Sequence, residues 1–154
     1  MIRDILGGTW KGDIILPSQL TITSEEKITK FLFRVKYDTN TMTFNGMFML
    51  DPEVSEINEH ANMVGELSEN NNIMFEIRYS KFYFYTDQTE KEMISLSDNI
   101  LTKVKFKGCL AKGDILFGSW ESDTSIFEHE GQVRKTLPHY GTWWAKKQSA
   151  LTKD

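Results

Sequence analysis

The chain has 154 residues, of which 40% are hydrophobic and 26% are charged, so it can bury the core of one domain and is too apolar for a disordered protein. A formal net charge of −4 argues against a nucleic-acid partner, because such proteins concentrate positive charge against phosphates. Ten Phe, five Tyr and four Trp against three Pro favour β-strands. We therefore expect a single all-β domain over residues 1–154.

The sequence also predicts the compartment. Cys109 is the lone cysteine, which excludes an internal disulfide and fits a reducing environment. Residues 1–8 carry Asp4 and lack the apolar core of a secretory signal. No apolar run approaches the roughly 20 residues that a membrane-spanning helix needs. We expect an intracellular protein, located in the cytoplasm, with no membrane span.

Hydrophobic alternation predicts five strands in the first half of the chain. They cover residues 9–16, 27–37, 41–50, 61–68 and 73–79. In the second of these, Phe31 and Phe33 alternate with Lys30 and Arg34, which is typical of a strand with one buried face. Residues 80–85 are rich in Phe and Tyr and are predicted to extend the fifth strand past a bulge.

The second half predicts one short helix and three more strands. The helix is expected over residues 87–99, because Asp87 can cap it and Glu90 follows three positions later. The strands cover residues 100–111, 115–122 and 139–147. The stretch 123–138 is predicted to be a polar loop, and residues 148–154 a surface tail.

Glycines recur on the inward face of nearly every predicted strand, in phase with the aromatic residues. They are Gly12, Gly46, Gly65, Gly108, Gly118 and Gly141. A glycine weakens a flat strand but relieves crowding where a sheet coils sharply, as in a small barrel. Together with the short turns, this pattern predicts an antiparallel up-and-down barrel of eight strands. The alternative is an open sandwich in which the glycines mark scattered bulges.

Three strands carry the same signature, in which a Gly and a Trp flank a Thr or Ser. The triplets are Gly8-Thr9-Trp10, Gly118-Ser119-Trp120 and Gly141-Thr142-Trp143. Because side chains alternate along a strand, Gly and Trp point to the same face. The first and last strands share the signature, as they would if they lay side by side. Trp10, Trp120 and Trp143 are therefore predicted to be buried near one another at one end and to close the barrel.

The first and last triplets, with the meander order between them, resemble the calycins, the barrel superfamily of lipocalins, fatty-acid-binding proteins and avidins. The resemblance implies a barrel fold and leaves the ligand open. Lipocalins place an Arg of the last strand against the first Trp, and here Lys146 and Lys147 stand near that position. The polar and Trp residues with which avidins bind biotin have no residue-by-residue match in this chain.

No pattern of residues predicts catalysis. His60, His129 and His139 lie far apart, and the sequence has no Ser-centred elbow, phosphate-binding glycine loop, CxxC or HExxH. A histidine such as His139 serves as the axial ligand in some haem-binding barrels, but solvated polar residues are the expectation for all three. For Cys109, beside lysines on an outer face, the expectation is an inert surface thiol rather than a reactive one. We therefore expect that this protein is not an enzyme and that it binds no cofactor and no metal.

Two hypotheses for function remain. In the first, the barrel holds a small hydrophobic ligand lined by inward aromatic side chains. The lining would be Phe33, Tyr37, Phe48, Phe75, Tyr79 and Phe106. In the second, these side chains fill the barrel, which acts as a protein interaction or assembly module through its outer surface. The number of aromatics favours the second hypothesis, because an eight-stranded barrel is only just wide enough for its own side chains.

The Gly-x-Trp phase also predicts an apolar cluster outside the barrel, on the seventh, eighth and first strands. Its members are Ile115, Phe117, Trp144 and Ile15. These strands are neighbours in a closed meander, so the cluster is expected to bind a protein partner or a second copy of the chain. The alternative is that the loop 123–138 or the tail after Lys147 folds over the cluster.

Overall fold

A computed structural model of the chain describes residues 6–17, 25–51, 59–80, 82–85, 93–96, 103–122, 126–135 and 139–148. These residues form twelve β-strands and no helix. The strands are β1 (Gly8–Leu16), β2 (Lys27–Asp38), β3 (Thr43–Leu50), β4 (Ala61–Leu67), β5 (Asn72–Arg78), β6 (Phe82–Tyr85), β7 (Met93–Leu96), β8 (Lys103–Ala111), β9 (Ile115–Ser122), β10 (Ile126–His129), β11 (Gln132–Lys135) and β12 (His139–Lys147).

Eight of these strands form a closed antiparallel barrel in the order β1-β12-β9-β8-β5-β4-β3-β2. Each barrel strand pairs with the next one along the chain, so the barrel has the predicted up-and-down topology. The first and last strands pair with each other, with Trp10 opposite Lys147 and Ile15 opposite Thr142. The structure thus confirms the eight-stranded barrel and the side-by-side position of the strands that share the Gly-Thr-Trp signature.

Glycine is needed at one point of the contact between β8 and β9. Gly108 and Gly118 lie directly opposite one another in this pair. A Cβ atom added to Gly118 would lie 1.9 Å from the carbonyl oxygen of Lys107 and 2.5 Å from the Cα of Gly108. No residue with a side chain fits that spacing, so this pair of glycines permits the close approach of the two strands in the coiled barrel wall.

The barrel interior is filled by aromatic rings in contact with one another. Phe75 stacks on Phe106 with the ring centroids 4.6 Å apart, and Phe33 lies 5.8 Å from Phe75. Trp10 stacks on Phe33 at 6.1 Å, and Trp143 meets Phe75 edge-on at 5.3 Å. These separations are those of directly packed aromatic pairs, so the described part of the core is a continuous ring cluster.

The structure corrects the prediction for residues 80–99. Met93–Leu96, inside the predicted helix, is strand β7, and it pairs antiparallel with β6. The rest of the predicted helix lies outside the described residues. β6 belongs to this separate two-stranded sheet and does not extend β5 past a bulge. Pairing with β6 satisfies backbone groups of Met93–Leu96 that a helix would otherwise pair internally.

The predicted polar loop 123–138 is also corrected, because it contains the hairpin β10–β11. Glu130 and Gly131 connect the two strands with φ angles of 52° and 76°, the positive pair that a type I′ turn requires. Phe127 is buried, whereas Ile126 and Val133 are 69% and 77% exposed. The hairpin therefore buries one aromatic side chain and presents an apolar pair to solvent.

Candidate binding surface

The six aromatic residues predicted to line a ligand cavity all point into the barrel. Five of them are at least 96% buried, and Tyr37 is half-buried with its hydroxyl donating to the carbonyl of Leu67 at 3.2 Å. The five are Phe33, Phe48, Phe75, Tyr79 and Phe106. Phe48 also packs on Phe106, with centroids 5.7 Å apart. The structure brings the four phenylalanines together as mutual packing partners.

The three signature tryptophans differ in position and burial. Trp10 and Trp143 are 0% and 2% exposed, whereas Trp120 is half-buried, not fully buried as expected. Trp120 and Trp143 are diagonal neighbours, since each lies opposite the glycine two positions before the other. Trp10 lies opposite Lys147, at the far end of β12 from Gly141, the partner of Trp120. The tryptophans therefore do not form one group of three at a single point of the closure.

Trp120 nevertheless contributes to closure in a way that explains the glycine of the triplet on β12. Its Nε1 on β9 reaches across β12 and donates to the carbonyl of Ile15 on β1 at 3.1 Å. A Cβ atom on Gly141 would lie 2.7 Å from that nitrogen, so the glycine leaves the path open. A glycine on the intervening strand thus lets the indole link two strands that are not neighbours.

The four residues of the predicted outer cluster come together around Trp144. Phe117 lies directly opposite Trp144, and the two side chains are 47% and 41% exposed. Ile115 and Ile15 are half-buried and lie opposite Lys146 and Thr142, the residues two positions either side of Trp144. We call Ile15, Ile115, Phe117 and Trp144 the Trp144 face. It spans the neighbouring strands β9, β12 and β1.

One further residue extends the Trp144 face and was missed from the sequence. Ile28 on β2 lies directly opposite Ile15 and is 54% exposed. It has the same outward phase as Lys30, so the alternation in β2 contained the signal. The pairing of Ile28 with Ile15 could not be found from one strand alone, because it depends on the register between β1 and β2.

The indole of Trp144 is held in place by a polar contact. Its Nε1 donates to the carboxylate of Asp13 at 3.1 Å, and Asp13 is the residue opposite Trp144 on β1. A hydrogen bond to an ionised group is stronger than one between neutral groups. The exposed ring therefore has a defined orientation on the barrel surface before any partner binds.

A groove with a volume of about 630 Å³ adjoins the Trp144 face on the outside of β12, β1, β2 and β3. Its outward side chains stand in two rows that cross these strands, as the strand register shows. The first row is Lys146, Lys11, Leu32 and Met49, and the second is Trp144, Asp13, Lys30 and Asp51. We call this groove the lysine groove. Trp144 belongs both to it and to the Trp144 face. This groove was not predicted from the sequence.

The described residues contain no group of three or more His, Cys, Asp and Glu that could hold a metal ion. Cys109 is half-buried on β8, opposite Phe117. The described residues contain no helix that is long and apolar enough to cross a membrane. A comparison of the chain with protein-family models, curated proteins and solved structures finds no match.

Proposed function

We propose that this barrel is a non-catalytic interaction module that binds a protein partner, or a second copy of itself, through the Trp144 face. The observation that carries the proposal is the pairing of Trp144 with Phe117. Two large aromatic side chains lie opposite each other on the outer surface, both more than 40% exposed. Exposed apolar clusters of this kind usually mark contact sites, and Trp is the residue most often found at their energetic centre.

The hydrogen bond from Trp144 to Asp13 supports this role. Binding costs free energy when a mobile side chain has to be immobilised, roughly 0.5–1.5 kcal/mol for each flexible residue. An indole whose orientation is already set by a carboxylate at 3.1 Å loses less freedom on binding. The arrangement therefore favours association through the outer surface of the barrel.

The packing of the core also favours the surface over the interior. A hydrophobic ligand inside the barrel would have to separate Phe75 from Phe106, whose rings stack at 4.6 Å. We further infer that the barrel is calycin-like, an inference supported by its closed order and its Gly-x-Trp signature. An intracellular, cytoplasmic location remains our proposal and rests on the lone Cys109.

The proposal is tested by the double substitution Trp144→Ala with Phe117→Ser. The matched control is Val64→Ser with Met74→Ser, which removes exposed apolar side chains of β4 and β5 that are 48% and 57% exposed. Association is measured by quantitative affinity purification from the source cells and by sedimentation for self-association. The thermal midpoint of each variant is measured alongside.

We expect the Trp144 and Phe117 variant to lose association with its thermal midpoint nearly unchanged, and the control to keep both. Both substituted positions of the test variant are well exposed, so little packing is lost. If this variant loses stability while association persists, the Trp144 face is part of the core and the proposal is wrong.

A further inference from the structure

We propose that the lysine groove binds an extended, acidic segment of the partner protein, in which an acidic side chain lies two or four positions from an apolar one. This inference rests on the proposed function and specifies the chemistry of the partner. It is carried by the charge and polarity of the two rows that cross β12, β1, β2 and β3.

The first row divides into a basic half and an apolar half. Lys146 and Lys11 lie directly opposite each other on β12 and β1, and both side chains are exposed. Leu32 and Met49 lie opposite each other on the next two strands, and both are half-buried. Because neighbouring strands are about 4.8 Å apart, the whole row is about 14 Å long.

Neither lysine of the basic half has an acid directly opposite it on a neighbouring strand. Like charges directly opposite each other destabilise a sheet. Within the described part of the chain, no carboxylate forms a hydrogen bond or ion pair with Lys11 or Lys146. This pair concentrates positive charge locally on a protein whose formal net charge is −4. A ligand carboxylate between the two ammonium groups would relieve their repulsion.

The second row holds two acids, Asp13 and Asp51, against one lysine, Lys30, and so limits how much negative charge the groove can take. Lys30 has Asp13 opposite it on β1, and on β3 the backbone N–H of Asp51 donates to its carbonyl at 2.9 Å. The carboxylate of Asp13 already accepts the indole N–H of Trp144. Asp13 beside Lys11 and Asp51 beside Met49 would repel a dense polyanion such as a nucleic acid or an anionic membrane, whereas one carboxylate can avoid them.

The spacing of the segment follows from the length of the first row. Neighbouring Lys11 and Leu32 are about 4.8 Å apart across the strands, and Lys146 and Met49 about 14 Å. An extended peptide advances about 3.3 Å per residue and presents alternate side chains to one face. Side chains four positions apart, about 13 Å, therefore match the span from Lys146 to Met49, and side chains two positions apart, about 7 Å, fall between the shortest and the longest span.

A peptide segment is also the occupant that best fits the openness of the groove. A small molecule would lie exposed along one side, whereas small-molecule sites bury most of their ligand. A segment of a partner protein continues beyond the groove. Trp144 is shared with the neighbouring face, so a partner seated there has its own chain within reach of the lysines.

The test begins with a displayed library of random 12-residue peptides selected on the full chain. We expect enrichment of Asp or Glu two or four positions from Leu, Ile, Met or Phe. The affinity of the selected peptide is then measured by fluorescence anisotropy. The double substitution Lys11→Glu with Lys146→Glu should weaken binding by about tenfold or more, as expected for loss of a charge-assisted contact.

The matched control is Lys36→Glu with Lys107→Glu, which changes the net charge equally at two exposed lysines outside the groove. It should leave the affinity within about twofold. A peptide whose acidic residues are replaced by Lys should bind more tightly to the Lys11→Glu, Lys146→Glu variant than to the unsubstituted protein. That reversal would show that the variant is folded and that charge pairing in the groove is responsible.

Three results would overturn the proposal. The selected peptides could lack acidic residues, or the control variant could lose as much peptide affinity as the Lys11→Glu, Lys146→Glu variant. The third result is that the protein binds vesicles with 30% phosphatidylserine only when Lys11 and Lys146 are both present. The groove can fail while the proposed function stands. In that case the Lys11 and Lys146 variant keeps association with the purified partner, and the Trp144 and Phe117 variant loses it. If both variants keep association, the proposed function fails too.

Discussion

The rings of Phe75 and Phe106, on the neighbouring strands β5 and β8, stack inside the barrel with centroids 4.6 Å apart and planes 6° apart. Each also meets the indole of Trp143 edge-on, at 5.3 and 5.7 Å. The stacked pair occupies space that a hollow barrel would offer to a ligand. The filling of the barrel therefore depends on a few identifiable rings.

Replacing one of these rings should open the interior. Phe106→Ala is expected to lower the free energy of unfolding by about 3–5 kcal/mol, because it removes a buried ring and leaves a cavity. Phe117→Ala, on the next strand with its side chain 47% exposed, should cost less than about 1 kcal/mol. Urea unfolding measures both. Benzene should raise the thermal midpoint of the Phe106 variant and not that of the original protein; equal responses would show an interior that is already hollow.

The close approach of β8 and β9 predicts a large effect of a single methyl group. Gly118→Ala should destabilise the barrel by more than about 2 kcal/mol, because the new Cβ would lie 1.9 Å from the Lys107 carbonyl oxygen. Gly113→Asn is the control, since nothing lies within 4 Å of Gly113 and its φ of +77° suits Asn. Denaturant midpoints compare them, and similar values would contradict the role of Gly118 in coiling the barrel.

Two indole hydrogen bonds should differ in their value for stability. Trp10 is fully buried and donates to the carbonyl of Leu6 at 2.7 Å, whereas Trp144 is 41% exposed and donates to Asp13 at 3.1 Å. Trp10→Phe should cost about 1–3 kcal/mol, since it removes the donor to a buried carbonyl. Trp144→Phe should cost less than about 1 kcal/mol, because water replaces the lost partner. Thermal unfolding measures the stability of both variants. A larger loss for Trp144→Phe than for Trp10→Phe would contradict the dependence on burial.

Hydrogen exchange should separate the barrel from the hairpin β10–β11. Barrel strands have partners on both sides, whereas the hairpin forms a two-stranded sheet with Ile126 and Val133 exposed. Amides of β1 and β12 are expected to exchange only through global unfolding, and those of β10 and β11 through local opening that is at least about tenfold more frequent. Equal protection measured by mass spectrometry would mean that the hairpin unfolds together with the barrel.

The barrel strands could be predicted because alternation and burial agree along each of them. In β2 the inward residues Phe31, Phe33 and Val35 are all buried, and Lys30 and Arg34 are exposed, as the alternation indicates. The inward glycines indicated closure for a reason that the structure makes physical, which is the contact distance between neighbouring backbones. The alternation of residues was therefore sufficient to predict a strand where all the information needed lay on one face of that strand.

The sequence was misleading where the outcome depended on a distant partner. Asp87 and Glu90 predict a helix over residues 87–99, yet Met93–Leu96 within that range is a strand that pairs with β6. The lysine groove was not predicted for the same reason, because Lys11 and Lys146 become neighbours only through the register of β1 with β12. That register joins positions 135 residues apart (146 − 11), and no local period contains it.

The pairing of β1 with β12 also constrains when the barrel can form. Gln148 N–H donates to the carbonyl of Thr9 at 2.8 Å, and β12, which closes the barrel, is synthesised after the other seven barrel strands. Until it leaves the ribosome, β1 and β9 each present an unpaired edge on a nascent chain whose other strands can already pair. Contacts of such long range slow folding, and open edges favour pairing with other chains. The protein is therefore most prone to aggregation during translation. Loss or delay of β12 would leave an open sheet with two unpaired edges, β1 and β9, in place of a closed barrel.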